Sequence, residues 1–152
     1  HPEVPVYDVP DPTFGTTITT AGIKEKLVSR GVDFSRKRFL LNMTTNHPEF
    51  YKASQQISVY AKQQNIQLVG VGQFNVFCEL NLTKALNPVE WASCYPFFDF
   101  CVTDRFHSTI FSIKGIIPFL VLEYTSKYKG AHQGKIVDLL TKINKMKMFP
   151  FL

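Results

Sequence analysis

The chain of 152 residues contains three cysteines, one tryptophan and no long apolar run. Each scarcity excludes something. A membrane-crossing helix needs about 18 or more uninterrupted apolar residues, and none is present. Cys78, Cys94 and Cys101 are odd in number and lack CxxC spacing. A disulfide framework is therefore not expected; free thiols in a reducing compartment are, which points to the cytoplasm. The cysteines and histidines show no zinc-ligand spacing, and Asp99 and Asp104 bracket one strand too widely to share a site. No GxxxxGK[ST], GxGxxG or GxSxG pattern occurs, which argues against a P-loop ATPase, a dinucleotide dehydrogenase and an α/β-hydrolase. Neither a metal nor another cofactor is expected.

Positive charge is in modest excess. The formal net charge is +5, which favours anionic ligands. The basic residues gather only around Arg30, Arg36, Lys37 and Arg38, and again at Lys142, Lys145 and Lys147. Neither group carries the interleaved aromatics of a single-strand binder, so nucleic acid is not an expected partner. The sequons at Asn42 and Asn81 carry little weight, because so short a pattern arises by chance. Phenylalanine is abundant, at 14 residues, which predicts an aromatic core or an apolar docking face.

The first 20 residues hold four prolines and no helical period, and read as a linker or extended arm. Residues 21–152 read as one α/β domain. Ile23, Leu27 and Val28 fall at helical spacing within 21–30, with Gly31 as the stop. KRFLLN at 37–42 is a short apolar strand. Asn46-His47-Pro48-Glu49 predicts a capping box that opens a helix to about Gln64, with Phe50, Ser54, Ile57 and Ala61 inward. IQLVGV at 66–71 is the next strand, and 74–80 is ambiguous between strand and loop. Asn87-Pro88-Val89-Glu90 is a second capping signature, for a helix ending near Tyr95 before Pro96. DFCVT at 99–103 predicts a strand, 104–109 a polar turn, and 110–114 a helix ended by Gly115. Residues 117–123 are a strand and 134–147 a last helix, with Ile136, Leu139, Leu140 and Ile143 on one stripe. Strands alternating with helices predict a Rossmann-like sandwich, a parallel sheet of four or five strands with flanking helices.

Ligands of such sheets bind beyond the carboxyl ends of the strands. The segment Asp104-Arg105-Phe106-His107-Ser108-Thr109 leaves such an end and enters a helix. A helix start offers unpaired N–H groups and a positive partial charge. Arg105 adds a guanidinium suited to carboxylate or phosphate, and Ser108 and Thr109 add hydroxyls, so the segment is a candidate anion cradle. Imidazole exchanges protons near neutral pH, and His107 is the best placed of four histidines for acid–base work. His1 is terminal, His47 sits in a helix first turn, and His132 lies in a glycine-rich loop. A structural reading competes: Asp104 caps the helix, Arg105 pairs with an acid and His107 packs.

Asn87 to Trp91, Asp99 to Ser112 with its Thr103-Asp104-Arg105-Phe106-His107 core, residues 115–118 and the closing Lys135-Ile136-Val137-Asp138-Leu139-Leu140 together resemble the C-terminal half of the polysaccharide pyruvyl transferase family. The resemblance covers about residues 33–143. It implies two Rossmann-like halves arranged as in GT-B glycosyltransferases, with the active site between them. Asp11-Pro12-Thr13-Phe14 is similar to the stretch that ends the first half, so residues 1–20 are expected to be the tail of a missing N-terminal domain that would contact the acceptor. The implied chemistry moves the pyruvyl group of phosphoenolpyruvate onto two hydroxyls of a glycan acceptor, in the synthesis of surface polysaccharide. The implied roles are catalysis by His107 and substrate binding by Arg105, Phe106, Ser108 and Thr109; the chain alone would be inactive. Ser108 stands where many members have glycine, which narrows the approach to the backbone. Two other readings remain: a GT-B type donor domain for a nucleotide sugar, with Glu123 as a weak ribose reader, and a non-catalytic interaction domain.

Overall fold

The computed structural model describes residues 10–123 and 134–143. His1, His132, Lys145 and Lys147, and the expected continuation of the last helix to residue 147, lie outside the described residues.

Five parallel strands form one sheet: β1 (Arg38–Asn42), β2 (Gln67–Gly70), β3 (Leu80–Asn81), β4 (Phe100–Thr103) and β5 (Phe119–Val121). Their order is β3-β2-β1-β4-β5. The chain steps outward from β1 to β3, then returns to lay β4 on the other side of β1. This reversal is the switch point at which an open α/β sheet leaves a crevice beyond its strand ends. The register pairs Asn42 with Thr103, the last residues of β1 and β4, at that point. The ambiguous 74–80 stretch resolves into a loop that leads to the two-residue β3.

The strands read as unbroken apolar runs because both faces are covered. Leu40, Val69 and Cys101 face one side, where they meet Ile23 and Leu27 of α1 (Ile23–Ser29), Ala92 of α3 (Pro88–Cys94) and Phe111 of α4 (Phe106–Lys114). Their neighbours Leu41, Leu68 and Val102 face the other side, against Phe50, Ile57 and Ala61 of α2 (Pro48–Gln63). Alternate residues on opposite faces are what a pleated strand dictates. The last helix, α5 (Lys135–Lys142), buries Ile136 and Leu140. Phe74 is the only exposed phenylalanine among the described residues, and most of the others pack against the two cores. No helix among the described residues is long and apolar enough to cross a membrane.

Three local expectations need correction. Helix α2 is capped not by Asn46 but by His47, whose Nδ1 accepts from the Glu49 amide at 3.3 Å, so Glu49 falls one place short of a capping box. Val28 is 53% exposed rather than inward, because α1 spans only two turns and Ile23 and Leu27 suffice to dock it. Helix α4 begins at Phe106, four residues earlier than expected. Thr103 explains the early start. Its hydroxyl donates to the Asn42 carbonyl at 2.8 Å and accepts from the Arg105 amide at 2.9 Å, which turns the chain into the helix at once.

Residues 10–20 pack against α3 and α4. Pro12–Gly15 forms a single 3₁₀ turn capped by Asp11, and Lys114 of α4 donates to the carbonyls of Phe14, at 2.6 Å, and Thr16. The Thr19 amide reaches Ser93 Oγ at 3.1 Å.

The capping box on α3 is fully formed. Asn87 Oδ1 accepts from the Glu90 amide at 3.0 Å, and Glu90 accepts from the Asn87 amide at 2.9 Å. Lys26 of α1 reaches the same carboxylate at 2.6 Å. Substituting Asn87→Ala is expected to lower unfolding free energy by about 1 kcal/mol, the usual worth of such a cap. Urea unfolding checks it, and an unchanged midpoint would show that the cap contributes nothing.

Candidate functional site

A cleft of about 550 Å³ opens over the switch point. Asn42 from the end of β1, Gly72 and Gln73 from the loop after β2, and Leu82 and Thr83 after β3 line it. Leu86, Pro88 and Trp91 supply the wall toward α3, and Arg105, Phe106 and His107 the start of α4. Three of the five residues expected in the site thus share one cavity.

The other two point elsewhere. Ser108 and Thr109 are fully buried. Ser108 Oγ accepts from Asn42 Nδ2 at 2.6 Å and from the Tyr95 hydroxyl at 2.7 Å. Thr109 Oγ1 donates to the Arg105 carbonyl at 3.0 Å. Both hydroxyls serve the interior rather than the cleft, because the early helix start rotates them inward. With α4 in place, helix geometry leaves the amides of Phe106, His107 and Ser108 without carbonyl partners in the helix. No side chain caps them.

Arg105 is held from two sides. Its Nη2 donates to Gln73 Oε1, and its Nε lies 3.1 Å from Asp104 Oδ1. The second approach is a charge contact, since Nε makes no directed hydrogen bond. Asp104 itself turns away from the cleft and accepts from the Thr44 amide, at 3.3 Å to each oxygen. Burial raises its carboxyl above the ordinary range, more than the Arg105 charge lowers it. His107 is exposed, with its ring edge-on to Phe106 at 5.8 Å. Asp11 stands near enough for the charges of His107 and Lys135 to add to the Thr13 hydrogen bonds that hold its carboxyl below its usual value. Asp11 therefore stands within electrostatic reach of the imidazole.

The cysteines have no part in this chemistry. Burial pushes the Cys78 and Cys101 thiols up to about 12 and Cys94 higher still, so no thiolate forms at neutral pH.

One observation sets the cleft apart. Among the described residues, the buried side-chain polar atoms without a hydrogen-bond partner are Asn42 Oδ1, Thr83 Oγ1, Trp91 Nε1 and Arg105 Nε. All four belong to residues that line this cavity. Folded proteins rarely leave such groups unpaired, and clustering around one cavity is what a ligand site produces. Of these residues, sequence reasoning singled out only Arg105 as a ligand group. Trp91 entered as part of a family pattern. Asn42 carried a visible signal, an asparagine ending an apolar strand, whereas Thr83 carried none.

A family model described as polysaccharide pyruvyl transferase matches residues 3–126 of the chain. Comparison with curated proteins and with solved structures finds no match.

Proposed function

From the premise that the chain belongs to the polysaccharide pyruvyl transferase family, we propose that its cleft is the donor site, and that the donor is phosphoenolpyruvate. The observation that carries this reading is the set of unpaired polar atoms around a cavity whose one edge is cationic. Phosphoenolpyruvate brings a carboxylate and a phosphate. The Phe106 and His107 amides, the positive end of α4 and the Arg105 guanidinium suit one or both.

The reaction adds two sugar hydroxyls to C2 of the enol, protonates C3 to a methyl group and expels phosphate. The first hydroxyl bonds to C2 while its proton passes to C3. The second displaces phosphate, and its proton leaves with the phosphate. Among the described residues, His107 is the one titratable side chain besides Arg105 that lines the cleft, so it is assigned the proton transfer. Arg105, pinned by Gln73 and Asp104, orients the anion without having to order itself on binding. The acceptor is a glycan bound for the cell surface, the reaction is cytoplasmic, and this chain is the donor half. Alone it would lack transfer activity, because acceptor orientation is worth about 7–11 kcal/mol of barrier.

Pyruvyl transfer by the intact protein tests the reading. Arg105→Lys is expected to raise donor KM about tenfold although charge is kept, since an ammonium cannot reproduce the two-pronged guanidinium contact. Thermal protection by a nucleotide sugar and none by phosphoenolpyruvate would instead favour a glycosyltransferase donor site.

A further inference from the structure

Asn42 is 2% exposed, lines the cleft and carries an unpaired Oδ1. Its surroundings are tight. Gly72 has φ +74°, and a Cβ there would lie 2.7 Å from Asn42 Nδ2. The loop after β2 thus rests directly on the carboxamide, a spacing that only glycine permits.

Hydrogen-bond accounting around Ser108 is unbalanced. Its Oγ lies between Asn42 Nδ2 and the Tyr95 hydroxyl, and of the two hydroxyl protons only one is taken up, in the bond the hydroxyls share. At the same time Asn42 Oδ1 accepts nothing. A carboxamide has two orientations of nearly the same shape, related by half a turn about Cβ–Cγ. The other orientation closes the account. Tyr95 then donates to Ser108, Ser108 donates to Asn42 Oδ1, and both protons of Nδ2 are released. The freed amide belongs to a residue that lines the same cleft as Arg105, Phe106 and His107.

We propose that Asn42 is a ligand-binding residue of this cleft, its carboxamide turned by the Tyr95–Ser108 relay so that Nδ2 donates to an anionic oxygen of the bound donor. The inference rests on the donor-site reading above and adds a third kind of donor to it. An anion is specified because the cleft's other polar contributors along this edge, the α4 amides and Arg105, are all donors. Tyr95 is a positioning residue: it is buried, and it acts through Ser108 and through its own contact with the Asn42 carboxamide.

The test is a titration of the intact, asparagine-labelled protein followed by the side-chain ¹H–¹⁵N resonances of Asn42, identified by their absence in Asn42→Asp. Phosphoenolpyruvate is expected to shift that NH₂ pair, and separate titrations with inorganic phosphate and pyruvate show which end of the donor it meets. Asn42→Asp, which removes the donor and adds a like charge, should weaken phosphoenolpyruvate binding about 10- to 100-fold. Tyr95→Phe should reduce the Asn42 shift at saturation, an effect that loss of packing alone would not produce. An Asn42 pair that stays fixed while the Phe106 and His107 amides shift would overturn the inference and leave the donor site standing. No shift anywhere would overturn both. The wild-type titration decides even if Asn42→Asp fails to fold, because selective labelling with assignment through the backbone replaces the variant.

Discussion

His107→Gln should cost the intact enzyme about 10²–10⁴-fold in kcat, the usual span for a general acid or base, while leaving its melting temperature nearly unchanged. The two halves of that expectation have separate causes. The imidazole is exposed at the cleft, edge-on to Phe106, so removing it empties no core volume. Surface substitutions of this kind stay within about 0.5 kcal/mol. Glutamine keeps the size and polarity but cannot shuttle a proton. If the histidine merely packed, the result would invert: stability would fall and kcat per folded molecule would hold. Measuring kcat and thermal unfolding on one preparation separates the two. A variant with normal kcat would remove the proton-transfer role.

Gly72→Ala should damage fold and site together. Its φ of +74° places it in the left-handed region, where a Cβ costs about 1–2 kcal/mol. The new carbon would also sit 2.7 Å from Asn42 Nδ2 and 3.0 Å from its Oδ1, so either the loop lifts or the carboxamide moves. Disrupting the buried bond to Ser108 adds about 1–3 kcal/mol. The expected total loss is about 2–5 kcal/mol by the same two terms, with donor affinity falling as well, because Gln73, the next residue, holds Arg105. Denaturant titration and donor binding check both parts. Unaltered stability and affinity would mean that the loop does not rest on Asn42.

The fold was legible because each strand alternates faces within a continuous apolar run and each helix brings its own signal. Asn87 and Glu90 did mark a capping box, and Gly31 did end α1 in a left-handed conformation. Position along the chain also pointed to the carboxyl end of β4 before any geometry was known. Arg105, Phe106 and His107 do line the cleft there. What local pattern could not supply was rotation. Thr103 starts α4 at Phe106, and that shift of one turn carries Ser108 and Thr109 into the interior. Nor could it supply contacts across the sheet. Asn42, Gly72, Thr83 and Trp91 come from four separate stretches, and only the strand order brings them to one cavity. The same limit applies to His47, whose ring takes the cap that the pattern assigned to Asn46.

The central claim is that phosphoenolpyruvate binds at the start of α4, and a crystal structure of the intact protein with the donor, or an unreactive analogue, tests it most directly. The account predicts its carboxylate or phosphate oxygens within hydrogen-bond distance of the Phe106 and His107 amides and of the Arg105 guanidinium, with the His107 ring beside the enol carbon. Donor density at another part of the sheet, or a nucleotide sugar occupying this cleft in its place, would contradict it.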